Sequence, residues 1–102
     1  MQLRFKGKLA DYFRTGEKAC STSNSYIIEV RKEKIEEFRE MLEQKAKLIK
    51  DVRGIVRKYS YGEYRITVFR SGKVVIENIA DIDTLYNLLS ELTDGERDKG
   101  IA

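Results

Sequence analysis

The sequence predicts an α+β domain in which two helices cover one face of an antiparallel sheet. Its 102 residues are the length of one domain with a single modest core. Short alternating apolar segments, typical of strands, are interrupted by two segments of helical periodicity. The predicted order is β-β-α-β-β-β-α. Residues 1–93 form the domain, in which residues 1–25 are an N-terminal strand or arm and a polar loop, and residues 94–102 are a flexible tail.

The most regular predicted element is a helix over residues 32–51. Its apolar residues recur at spacings of three and four, which places them in one stripe on a polar rod. The stripe consists of Ile35, Phe38, Leu42, Ala46 and Ile49. A second helix is predicted over residues 81–92, with Asp81 or Asp83 as its N-cap and Gly95 just past its end.

The strands are predicted from alternation of apolar and polar residues. Residues 2–9 favour a half-buried strand or an arm, and residues 15–25 are polar and small, which favours a loop. Tyr26–Val30 is a strand that leads into the first helix. A three-stranded meander then follows over residues 54–61, 64–69 and 73–79.

Two of these strands meet at a Ser-Gly corner, and their register decides which residues face outward. A three-residue loop, Ser71–Lys73, pairs Val68 with Ile76 and avoids the mixed faces that a two-residue loop would give. One face is then apolar and contains Ile66, Val68, Val74 and Ile76. The other contains Arg65, Thr67, Phe69, Val75 and Glu77. We therefore expect the Phe69 ring to project from the side of the sheet that faces away from the helices.

Positive charge is concentrated in residues 53–73, which contain six basic residues and one acidic residue, whereas the whole chain has a net charge of +3. Clustered lysines and arginines contact phosphates, and aromatic rings stack on bases or wedge between them. The pattern predicts a surface that binds nucleic acid or another partner. Its candidate residues are Arg57, Lys58, Arg65, Thr67, Phe69, Arg70, Lys73 and Val75. The alternative is that the same residues form an ordinary solvated sheet face.

The segment VFRSGKVV, residues 68–75, resembles the FxSGKxV hairpin in each repeat of the TATA-box-binding protein family. The predicted order of elements over residues 26–92 is also similar to one repeat. The resemblance implies a curved antiparallel sheet that forms one half of a saddle. Such a half-saddle has exposed strand edges, so we expect a two-fold homodimer that covers one of them.

The same resemblance implies roles for single residues. Phe69 stands where the family has a phenylalanine that wedges between base steps, and Thr67 and Val75 stand at neighbouring positions of its DNA-facing surface. Val52 stands roughly where the family has its second wedge phenylalanine, and Glu77 adds a negative charge to this face. Both differences disfavour a kinking mechanism.

Residues 64–89 are also similar to the short C-terminal domain of some adenylyltransferases of thiamine and molybdopterin biosynthesis. Gly72 is kept, whereas Ser71 and Lys73 replace the usual acid and arginine. This resemblance implies an alternative function, a stand-alone accessory or partner domain of an adenylating or sulfur-transfer enzyme. Cys20 would then be a reactive thiol, and the other interpretation is that it packs as a small apolar residue.

Composition argues against catalysis. The chain has no histidine and one cysteine, so it lacks the commonest general base and metal ligand and cannot form an intrachain disulfide. We expect no enzymatic activity, no cofactor and no metal. No apolar run approaches the roughly 20 residues that span a bilayer, and the N-terminus lacks the apolar core of a signal peptide, which favours a cytoplasmic location without membrane contact. The many Glu, Lys, Arg and Ile residues are typical of heat-adapted proteins.

Overall fold

The computed structural model describes residues 2–19 and 24–93, and within them the chain is α+β. The strands are β1 (Gln2–Leu3), β2 (Phe13–Lys18), β3 (Tyr26–Val30), β4 (Lys47–Val52), β5 (Val56–Tyr61), β6 (Tyr64–Phe69) and β7 (Lys73–Glu77). The helices are α1 (Lys8–Tyr12), α2 (Ile35–Lys45) and α3 (Ile82–Leu92), and a 3-10 turn at Lys32–Lys34 precedes α2.

The strands of the described residues form one antiparallel sheet in the order β1-β2-β3-β7-β6-β5-β4. Strands β4 to β7 are a meander, and β3 adds to it beside β7. The two edges of the sheet differ. Strand β1 has only two residues, whereas β4 has six, and all six are exposed.

The core lies between one face of the sheet and the helices. Alternate residues of β3, β5, β6 and β7 are almost completely buried there, including Ile28, Tyr59, Ile66, Val74 and Ile76. The helices contribute Phe38, Leu42, Leu85 and Leu89 to the same cluster. Burial of this apolar surface is the main term that stabilises the fold.

Helix α1 and the start of β2 are fixed to α2 by two contacts. The Tyr12 hydroxyl donates a hydrogen bond to Glu37 Oε2 at 2.7 Å. The Phe13 ring meets the Phe38 ring edge-on, with 5.4 Å between centroids, a favourable geometry for aromatic pairs. These contacts place α1 on the same side of the sheet as α2.

The prediction of a single helix over residues 32–51 is wrong in its second half. Helix α2 ends at Lys45, Ala46 has an extended backbone, and residues 47–52 form β4. Ile49, predicted on the helical stripe, is a strand residue that is 48% exposed. Ala46 and Ile49 continued the helical spacing by coincidence, while the apolar residues of β4, interspersed with charge, also suit a solvated edge strand.

The predicted order β-β-α-β-β-β-α is also wrong, because it lacks α1 and β4 and places residues 15–18 in a loop. These residues belong to β2 and pair with β3. Gly16 is needed there, since a Cβ atom at that position would lie 2.8 Å from Ile28 Cγ2 and 3.1 Å from Leu3 Cδ1. The glycine that suggested a loop is therefore the residue that leaves room for the side chains of Leu3 and Ile28 on the two neighbouring strands, β1 and β3. The tail, residues 94–102, lies outside the described residues.

The face assignment of the β6–β7 hairpin is confirmed, but its register is not. Val68 pairs with Val74 and Thr67 with Val75, two residues away from the predicted pairing of Val68 with Ile76. A shift of two residues leaves every side chain on its predicted face, because side chains alternate with a period of two. The loop has three residues, as predicted, but it lies one residue earlier, at residues 70–72, where the Gly72 amide donates to the Phe69 carbonyl at 2.9 Å before β7 begins.

Of the two predicted candidates, Asp81 and Asp83, the N-cap of α3 is Asp81. Its Oδ1 accepts hydrogen bonds from the Thr84 amide at 2.8 Å and the Thr84 hydroxyl at 2.7 Å. The backbone bond, followed by the hydroxyl bond, lowers the pKa of Asp81 from its ordinary value because both favour the carboxylate.

We expect Asp81→Ala to destabilise the protein at neutral pH, and to do so less as the solution becomes acidic. A carboxylate with a lowered pKa stabilises the fold fully above its unfolded-state pKa, about 3.9, and loses that contribution as the pH falls through its folded-state pKa. Urea unfolding of both proteins from neutral pH to about pH 3 tests this expectation. A difference between them that stays constant over this range would contradict it.

Candidate partner-binding face

The side of the sheet opposite α2 and α3 forms the candidate site, and we call its β4–β7 part the open face. The pairing of the strands assigns twelve side chains to it: Lys47, Lys50, Val52, Val56, Lys58, Ser60, Arg65, Thr67, Phe69, Lys73, Val75 and Glu77. All except Thr67 are exposed or half-buried, in contrast to the neighbouring core-facing residues of β6 and β7. The helices of the described residues pack on the other side of the sheet, so none of them covers this face.

Six of the eight predicted binding residues lie together on the open face: Lys58, Arg65, Thr67, Phe69, Lys73 and Val75. Arg70 follows β6 in the turn and is exposed. The expected orientation of Phe69 is confirmed, because its neighbour Val68 is in the core and Phe69 is therefore on the opposite side.

The eighth predicted residue, Arg57, is separated from the others. It pairs with Val68 across the strands, so it lies on the helix side of the sheet. Its guanidinium contacts the Glu43 carboxylate of α2, and its Nε lies 3.4 Å from Asp51 Oδ2. Arg57 therefore ties the meander to α2 and does not belong to the open face.

Tyr59 strengthens this link between the meander and α2. Its hydroxyl donates to the same Glu43 carboxylate at 3.3 Å, and the residue has no exposed surface. Burial raises the pKa of Tyr59, so the hydroxyl stays protonated as a donor at neutral pH. Glu43 of α2 thus contacts both Arg57 and Tyr59 of β5, and Asp51 of β4 contacts Arg57.

An apolar row crosses one end of the open face. Val52 pairs with Val56, and Val56 pairs with Phe69, so the three side chains lie side by side on adjacent strands. Strands in a sheet are about 4.8 Å apart, which separates Val52 and Phe69 by about 10 Å. Val52 is 42% exposed. Val56 and Phe69 are half-buried, so the row is a partly exposed apolar strip beside basic residues.

Sequence reasoning missed Lys47 and Lys50, because it placed them on a helix. Lys50 pairs directly with Lys58, and Lys47 with Ser60. The sequence offered one signal for this strand, Gly54, which favours a turn just after it. In the structure Arg53 and Gly54 both adopt positive φ in the turn that leads to β5.

The open face carries five basic side chains and one acidic side chain. The basic residues are Lys47, Lys50, Lys58, Arg65 and Lys73, and the acidic residue is Glu77. Within the described residues, none of the five basic groups forms an ion pair. On the β2–β3 side, by contrast, Arg14 pairs with Glu29 at 2.9 Å. The open face therefore carries an excess of positive charge, although Arg65 lies directly opposite Glu77 and Lys73 opposite Glu29. Like charges that face each other, such as Lys50 and Lys58, favour a bound anion between them.

Other kinds of site find less support in the part of the chain that the structure covers. Residues 2–19 and 24–93 contain no cluster of three or more acidic or cysteine residues that could hold a metal ion. In these same ranges no helix has the length and apolar character to cross a membrane. Cys20 lies outside them, so a reactive thiol stays a prediction from sequence.

Comparisons of the chain with protein-family models, with curated proteins and with solved structures find no match. The resemblance to the TATA-box-binding family therefore rests on the hairpin residues, since the predicted order of elements lacked β4. Function has to be argued from the open face itself.

Proposed function

We propose that this protein is a non-enzymatic binding domain that acts as a homodimer and binds nucleic acid with the open face of its sheet. One observation carries the proposal: five basic side chains, against one carboxylate at Glu77 opposite Arg65, share an uncovered face with the apolar row of Val52, Val56 and Phe69. The resemblance of the β6–β7 hairpin to the TATA-box-binding family supports the same use of this face.

The two kinds of side chain have separate tasks in this proposal. The lysines and Arg65 neutralise backbone phosphates and release bound counterions, which supplies affinity without sequence preference. The apolar row offers Phe69 as a ring on which a base can stack or which can enter between two bases. Along the strands, Glu77 lies near one end of the open face and Phe69 near the other. We therefore expect the base contacts at the end that carries Val52, Val56 and Phe69.

Salt dependence gives the proposal a quantitative form. Each phosphate neutralised contributes about −0.9 to the slope of log affinity against log salt concentration for duplex DNA, and about −0.7 for single strands. Five basic groups therefore limit one copy of the chain to a slope of about −4.5 for duplex DNA and about −3.5 for single strands, and a dimer to about twice these values. A slope steeper than the dimer limit would require contacts outside the open face.

We expect Lys50→Glu/Lys58→Glu to weaken nucleic-acid binding at least about tenfold, because it replaces two neighbouring phosphate contacts with repulsive charges. Fluorescence anisotropy with single- and double-stranded probes at low salt measures the effect. The matched control, Lys6→Glu/Lys32→Glu, makes the same change of net charge at exposed residues outside the open face. Equal weakening by both variants would contradict the proposed face, and absence of binding by the wild-type protein to either probe at low salt would contradict the proposed function.

The homodimer is supported by the exposed edge of the sheet at β4. An uncovered six-residue strand presents unpaired backbone groups that favour pairing with another strand. Analytical ultracentrifugation across a wide concentration range tests this part, and a single chain mass throughout would refute it.

A further inference from the structure

Exposed apolar side chains are concentrated at one edge of the sheet. Among the described residues, the large apolar side chains that stay exposed are Leu48, Ile49, Val52 and Ile55, at 42–50%. All four lie on β4 or in the turn that follows it. At the opposite edge Leu3 is buried, so the concentration is specific to the β4 edge. Native edge strands are usually protected, and exposed apolar residues grouped on one mark a contact surface.

We propose that β4 pairs antiparallel with β4 of a second copy of this chain, across a two-fold axis perpendicular to the sheet. This inference rests on the proposed homodimer and names its interface. The pairing covers the outer backbone groups of both edge strands and brings Leu48, Ile49 and Val52 against β4 of the second copy. It joins the two sheets edge to edge.

The strand's charges and its irregularity select one register. Within the chain, the pairing of β4 with β5 shifts by one residue between Leu48 and Lys50, which leaves Ile49 as an extra residue in β4. As a result Lys47, opposite Ser60, is on the open face, whereas Asp51, opposite Arg57, is on the helix side. A two-fold axis perpendicular to the sheet pairs residues on the same face, so Lys47 cannot pair with the partner's Asp51.

Several remaining registers place like charges directly opposite each other, which is destabilising. Centring the axis on Lys50 or on Asp51 pairs each with its own copy, and a further shift pairs Lys47 with the partner's Lys50. The register that overlaps all six residues avoids these contacts, and we prefer it to centring the axis on Leu48, which also avoids them but overlaps only three residues of each β4. It places Leu48 opposite the partner's Asp51, Lys47 opposite the partner's Val52, and Ile49 opposite the partner's Lys50.

This arrangement has a consequence for the open face. Because the two-fold axis is perpendicular to the sheet, the open faces of both copies lie on the same side. Lys47 and Lys50 are then at the centre of one continuous basic surface. The dimer would contact about twice the length of nucleic acid that one copy contacts.

A pair of substitutions at Leu48 tests the register. Leu48→Glu places an acid opposite the partner's Asp51 and is expected to raise the dimer dissociation constant at least about tenfold, whereas Leu48→Lys places a cation there and is expected to change it less. If repulsion between the net charges of the two copies controlled dimerisation, Leu48→Lys would weaken the dimer more than Leu48→Glu, because the net charge of the chain is +3 and the lysine variant increases it. Both variants should fold, since Leu48 is 44% exposed, and thermal melting checks this.

Sedimentation velocity of the wild-type protein and both variants, without nucleic acid, measures the dimer. Gln44→Glu and Gln44→Lys, at an exposed position of α2, make the same charge changes away from the strand and should leave it unchanged. A wild-type dimer that persists equally in Leu48→Glu would overturn the β4 interface while leaving the homodimer intact. A wild-type protein that is monomeric at every concentration would overturn both, and neither result depends on whether nucleic acid binds.

Discussion

Phe38→Ala is expected to lower the free energy of unfolding by about 3–5 kcal/mol, the largest effect we expect from one substitution. Phe38 has no exposed surface and lies on α2, where its ring meets the Phe13 ring edge-on. Truncation removes the buried ring and leaves a cavity between α2 and the sheet. Domains of this size are stable by about 5–15 kcal/mol, so the loss would be a large fraction of the total.

Urea unfolding at neutral pH measures this loss, with Glu40→Ala as the control on an exposed position of the same helix. The control should change stability by less than about 0.5 kcal/mol. Phe38→Leu should have an intermediate effect, because it restores part of the buried volume. If Phe38→Ala cost no more than Glu40→Ala, α2 would not pack on the sheet as described.

The parts of the fold that were predictable depend on local patterns. Alternation in β6 and β7 identified Ile66, Val68, Val74 and Ile76 as core residues, although the exact pairing was two residues off. The Asp81 cap is likewise a contact over three residues. These features are decided by near neighbours in sequence, so the sequence displays them directly.

The elements that were missed depend on distant partners. Residues 46–49 fit a helical spacing as well as a strand, and what makes β4 a strand is its pairing with β5. In β2 a glycine and polar residues suggested a loop, whereas in the structure Gly16 lies between its cross-strand partners Leu3 and Ile28, with too little room for a side chain. Strand formation of this kind is set by tertiary packing, which local propensity does not reveal.

The candidate site shows the same division. Lys58, Arg65 and Lys73 were placed on one face because their strands were predicted correctly, whereas Lys47 and Lys50 were lost with β4. The separation of Arg57 from Lys58 was available from the sequence, since neighbouring strand residues point to opposite faces. What alternation alone did not show is that Glu43 and Asp51 hold Arg57 on the helix side.

Gly72→Ala is expected to destabilise the protein by about 3 kcal/mol, through backbone strain of about 1–3 kcal/mol and overpacking of similar size. Gly72 adopts a φ of +105°, which residues with a Cβ rarely adopt. A Cβ there would lie 3.0 Å from the Val30 carbonyl oxygen and 3.2 Å from Ile35 Cδ1. The Val30 amide also donates to the Gly72 carbonyl at 2.8 Å, so the turn, the end of β3 and the start of α2 are packed together.

Gly62→Ala is the matched control, because it introduces a side chain at a positive φ without the close contacts that a Cβ makes at Gly72. Gly62 also has a positive φ, +61°, but a Cβ there would meet nothing within 4 Å. Its substitution should cost only the conformational term, about 1–2 kcal/mol. Equal losses in urea unfolding would mean that the Gly72 turn does not press against β3 and α2. A larger loss for Gly72→Ala would show that the turn is packed closely against β3 and the start of α2, with no room for a side chain at this position.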